Sequence, residues 1–113
     1  FHFNAAVLRD GMNQYGKAQD GYQKYFDTSK AADRWETVFL MAQMNERRGN
    51  ISKALDYYKQ YYDARPNNPA QLIEAAFKVA KIHEAKRRLS DAEDWYKKVI
   101  FQQKKFATAE NPV

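Results

Sequence analysis

Cysteine is absent from the 113 residues, which removes disulfides, thiolate metal ligation and a Cys nucleophile while leaving cytoplasm and periplasm both open. Glycine (4) and proline (3) are too scarce for the many tight turns of a sandwich or barrel this size, so helix is the default. No apolar run approaches the roughly 18 residues of a membrane-spanning helix, and no basic-then-apolar signal segment opens the chain. The length also excludes two independent domains. What is present is 44% hydrophobic and 15% aromatic, enough for a packed core, so the disordered class fails despite 29% charged residues. Residues 1–113 therefore read as a single domain. They begin Phe1-His2-Phe3 without an initiator Met and end Glu110-Asn111-Pro112-Val113 like the start of another element, so they are expected to be a piece of a longer chain.

Self-similarity is the strongest signal. Segments beginning at Phe3, Phe39 and Phe77 align without gaps at offsets of 36 and 38 residues. The alignment stacks Ala6, Ala42 and Ala80; Ala18, Ala54 and Ala92; Asp20, Asp56 and Asp94; and Tyr22, Tyr58 and Tyr96. In each unit the first half places Phe, Ala and an apolar residue (Leu8, Met44, Ile82) at helical spacing, and the second half repeats Ala and Tyr four apart, so each unit is two helices. Gly49-Asn50 stops one helix and starts the next, Ser90-Asp91-Ala92-Glu93 resembles a capping box, and Asn68-Pro69 is a cap with a first-turn proline. Helices are expected over 1–13, 15–28, 30–48, 51–65, 69–87 and 90–106, grouped as repeats 1–29, 30–66 and 67–106 with a tail over 107–113. The alanine columns fit a close crossing of paired helices, and stacking of pairs would create a continuous core.

The small residue in the first helix, Arg48-Gly49-Asn50 at the turn, then Ala54, Tyr58 and Pro66, together resemble the tetratricopeptide repeat family over about residues 2–106. The resemblance implies an all-α, right-handed α-solenoid of antiparallel helix pairs that serves as a non-catalytic protein–protein interaction scaffold, its motif specifying no particular ligand. The repeats exceed the usual length of about 34 residues, and Tyr25 and Tyr61 stand where a small Ala is usual, which implies longer elements and altered packing between units. Segments such as that from Asn68 to Glu84 are similar to those of bacterial cell-envelope assembly and motility scaffolds, which implies a periplasmic or envelope setting.

In that family the first helices line the concave surface. Phe3, Val7 and Asp10; Phe39, Gln43 and Glu46; and Phe77, Lys81 and Glu84 share one helical spacing, an aromatic stripe beside an acidic one. This face suits a peptide or partner helix with an apolar anchor flanked by basic residues. The Phe column reads equally well as core between adjacent first helices. Some family members clamp a C-terminal carboxylate with Lys, Arg and Asn from these helices. Phe and acids occupy that face here, so no such clamp is expected, although Lys81 and Asn45 keep it open.

The formal charge of +5 concentrates at the turns between paired helices, in Arg47 and Arg48 and in Lys86, Arg87 and Arg88, with Lys97, Lys98, Lys104 and Lys105 along the last helix. The alternative function is recruitment to an anionic polymer, nucleic acid or membrane surface through this basic edge. Nucleic acid is disfavoured, since no aromatic residues interleave with the edge as a stacking platform requires. His2 and His83 are far apart, and no zinc-protease spacing or glycine-rich phosphate loop occurs. Repetition accounts for Glu46 and Glu84 better than a catalytic carboxylate pair does. No cofactor or metal is expected.

Overall fold

The structure, a computed structural model, describes residues 4–110. It is all-helical: among the described residues there are six helices, α1 (Asn4–Gly11), α2 (Tyr15–Thr28), α3 (Arg34–Arg47), α4 (Ile51–Ala64), α5 (Pro69–Ala85) and α6 (Leu89–Glu110), and no strand. Each packs most closely on its neighbours in chain order. The molecule is a slab of 41 × 37 × 21 Å, about two helix diameters thick.

Short turns join α1 to α2, α3 to α4 and α5 to α6, and all three are built alike. Asn13, Gly49 and Arg87 occupy equivalent positions and all have positive φ, at 61°, 83° and 61°. Behind each, the next residue donates its N–H five residues back: Gln14 to Arg9 (2.7 Å), Asn50 to Asn45 (2.8 Å) and Arg88 to His83 (2.9 Å). This is the left-handed helix terminus that satisfies carbonyls the helix leaves unpaired.

The other two linkers stop their helices differently. Arg65 is left-handed at φ 52°, and Asn68 Oδ1 accepts the Gln71 N–H at 3.1 Å ahead of Pro69, as the sequence predicts. Between α2 and α3 the expected helix start at 30 is displaced to Arg34. Ser29 Oγ accepts the Ala31 N–H at 3.0 Å and the Tyr25 hydroxyl donates to Asp33 at 2.8 Å, so side chains hold residues 29–33 as a linker. At the other end, 107–110, read as tail, continue α6, since no glycine or proline intervenes before Pro112. That helix also begins one residue early, which places Ser90 inside its first turn rather than ahead of it.

All six column alanines, Ala6, Ala18, Ala42, Ala54, Ala80 and Ala92, are buried. In the first pair the approach is close enough that a Cβ on Gly21 would lie 2.8 Å from Ala6 Cβ. The core between pairs is aromatic, with Tyr22, Tyr58, Tyr61 and Tyr62 enclosed together with Met41 and Met44.

Candidate functional site

The acidic column is engaged within the fold. Asp10, Glu46 and Glu84 each accept a hydroxyl from the tyrosine twelve residues on: Tyr22 at 3.2 Å, Tyr58 at 2.8 Å and Tyr96 at 2.7 Å. Burial and the neighbouring carboxylate push the Tyr22 and Tyr58 phenols well above their usual range, so both stay protonated donors. The first two acids also take a cation from the first helix of the following pair. Arg47 pairs with Asp10, and Lys78 Nζ lies 3.3 Å from Glu46. The Asp10 hydrogen bond in turn holds the Arg47 guanidinium above its ordinary value.

The nine positions expected to form one open face therefore divide. Phe3 lies outside the described residues. Asp10 is buried in its pair, and Val7 is exposed. Phe39 is core: it is 3% exposed, its ring 5.8 Å from that of Tyr58 and 5.1 Å from that of Tyr61. The reason is that α5 lies along this side of the second pair. Tyr61 donates to Gln71 at 2.7 Å, Gln43 to Glu74 at 3.4 Å and Lys78 to Glu46. Of the two readings of the Phe column, core holds for Phe39, and the expected aromatic groove does not run through the second pair.

The third pair differs because no described helix lies over the same side. Phe77 keeps the edge-to-face contact, 6.1 Å from Tyr96, yet is 41% exposed. Lys81 Nζ sits 5.7 Å from the Phe77 ring centroid. Phe77, Lys78, Lys81, Ile82 and Lys86 of α5 and the turn after it, with Glu46 of α3 and Ile51 of α4, line one groove. Four residues singled out from the sequence, Glu46, Phe77, Lys81 and Lys86, are thus brought together. Lys78 and Ile51 were missed. The groove has an apolar floor and a rim with three lysines against one glutamate already paired with Lys78, so its polarity is the opposite of that expected from the acidic stripe.

The basic edge is also divided. Arg47 is committed to Asp10, and the Arg48 guanidinium lies 4.9 Å from the Tyr15 ring centroid. Lys86, Arg87 and Arg88 are exposed at the turn between α5 and α6. On the last helix, Lys97 pairs with Glu93 at 3.3 Å and Lys98 lies over Trp95 at 5.2 Å, so much of the expected positive surface serves local contacts.

His83, equivalent to Arg9 and Asn45, is buried, and its Nδ1 has no hydrogen-bond partner among the described residues. Burial lowers its pKa; Asp91 opposes that shift, and Arg88 and Lys59 reinforce it. Among the described residues no three His, Asp or Glu side chains converge as metal ligands, and no helix is long and apolar enough to cross a membrane. Compared with known proteins, the chain matches no family model, no curated protein and no solved structure.

Proposed function

We propose that this chain is a non-catalytic protein–protein interaction scaffold, a tetratricopeptide-like stack of three helix pairs that receives a partner peptide or helix against α5. The observation that carries the reading is the groove at Phe77: an aromatic side chain and neighbouring aliphatic groups left open beside Lys78, Lys81 and Lys86, on a rigid helix rather than a loop. The repeated turns, the tyrosine–acid bonds and the buried alanine columns support the stacked-pair architecture, because identical contacts recur at equivalent positions. An envelope or motility assembly is the setting proposed from the family resemblance.

The second reading, attraction of an anionic polymer or membrane by the basic edge, draws on the exposed Lys86-Arg87-Arg88 turn. A photo-crosslinking residue installed at Lys81, compared with one at Arg88, separates the two. Adducts with a protein at Lys81 alone support the groove; adducts with nucleic acid or lipid at Arg88 alone would replace it with the charged edge.

A further inference from the structure

The contacts that the third pair makes on the second have no counterpart on the outer side of the third pair; at the first junction the cation comes from elsewhere, Asp10 taking Arg47 while Leu40 stands in the column of Lys78. Along the second pair, Gln43 faces Glu74 and Glu46 faces Lys78, an acid and a base four residues apart on α5. Both α3 and α5 advance in the same direction through these contacts. The matching positions on the third pair are Lys81 and Glu84. Glu84 keeps its bond to Tyr96, as Asp10 and Glu46 keep theirs to tyrosine, but no cation lies within ion-pair distance of it among the described residues. The apolar neighbours show the same incompleteness. Phe39 and Tyr62 are enclosed, whereas Phe77 and Ile100 in the equivalent columns are 41% and 51% exposed. Tyr62 is covered by the Trp95 ring at 5.2 Å and by Gln102, which donates to its hydroxyl at 3.1 Å.

We propose that the outer side of α5 and α6 docks an amphipathic helix of a partner protein, laid parallel to α5, that presents an acid to Lys81, a base one turn later to Glu84, and apolar side chains to Phe77 and Ile100. The inference rests on the binding reading above, since Phe77 and Lys81 border both surfaces; what it adds is the partner's direction and charge order. A second copy of the chain is the poorer occupant. Its first helix has Asn4 in the column where α5 has Lys78, and each chain carries a net +5. Acid and base on one helix fix register as well as orientation, because a shift of one turn sets like charges opposite each other.

The test uses a labelled helical peptide of residues 68–86, constrained by a side-chain crosslink away from Glu74 and Lys78, since α5 is the helix that makes these contacts on the second pair. Binding to the full chain is read by fluorescence anisotropy, with circular dichroism of each variant. Glu84→Lys is expected to weaken binding about tenfold or more, and the peptide carrying Lys78→Glu to recover most of that loss against the Glu84→Lys chain alone. Phe77→Ala weakens binding of both peptides. If Phe77→Ala weakens binding but the charge exchange changes nothing, the partner's charge order is wrong and the binding reading stands. If the peptide does not bind, the docking proposal is overturned, while the crosslink at Lys81 still decides the groove. Sedimentation showing a dimer that Glu84→Lys dissociates would make the occupant a second copy and overturn the partner helix.

Discussion

Arg87 holds φ at 61°, a conformation in which a Cβ crowds the following carbonyl at a cost of about 1–2 kcal/mol. Gly49 occupies the same place in the preceding turn at φ 83° without that cost. Arg87→Gly should therefore raise the thermal midpoint by several degrees, corresponding to about 1 kcal/mol offset slightly by the added freedom of the unfolded chain. Gly49→Ala should lower it by a similar amount for backbone reasons alone, since no atom lies within 4 Å of the added Cβ. Thermal denaturation of both variants checks the pair; equal midpoints would mean the turns tolerate either residue. His83 gives a pH signature. Its folded pKa is lowered from 6.5 by burial, so the unfolded chain takes up the proton first and stability falls as pH drops below about 6.5. The loss in denaturant midpoint between pH 7.5 and about pH 5 should be larger for the wild type than for His83→Gln, which has nothing to titrate there. Identical slopes would show that burial does not discriminate against the imidazolium.

The approach of α1 to α2 depends on Gly21, where the equivalent positions in the next two pairs are Tyr57 and Trp95. Gly21→Ala sets a methyl 2.8 Å from Ala6 Cβ. Overpacking costs about 1–3 kcal/mol and the helix-propensity gain is about 1, so the net effect should be destabilising and should appear as faster amide exchange in α1. Such packing was only partly legible in the sequence. The alanine columns announced close crossings, because repetition of a small residue at one helical position has a steric reason, but Gly21 has no counterpart in its column. Four helix starts lay within one residue of their expected places, since caps and turn residues mark them, and that of α1, expected at 1, lies outside the described residues; α3 began later than expected, because Lys30, Ala31 and Ala32 look helical and the side-chain bonds of Ser29 and Asp33 that hold them out are invisible to periodicity. The bonds from Tyr22, Tyr58 and Tyr96 were legible in principle, for the acid and tyrosine columns stand twelve residues apart in every unit. The groove was not. Periodicity says which side chains share a face of α3 or α5, whereas whether Phe39 or Phe77 is open depends on which helix lies over it.

Buried side chains of all six helices join into one hydrophobic cluster, but it is built up between helices adjacent in the chain. Each helix packs chiefly on its sequence neighbours, so stability should vary along the chain instead of rising and falling as a unit. The first pair is the weaker end: Val7, Leu8 and Met12 are exposed, and its contacts to the rest include α2 against α3, Gln19 with Tyr57 and Asp10 with Arg47. Asp10 is buried, so losing its charge removes a charge-assisted bond from Arg47 and weakens that from Tyr22. Arg47 is about half exposed, and solvent screening limits its share. Asp10→Asn preserves shape and should cost about 1–2 kcal/mol, with amide exchange accelerating in α1 and α2, modestly in α3, and not at all in α5 or α6. Hydrogen exchange read by mass spectrometry resolves these segments. Uniform acceleration across all six helices would instead show that the three pairs unfold together, and the pairwise ion contacts would then be parts of one cooperative core rather than the joints between successive units.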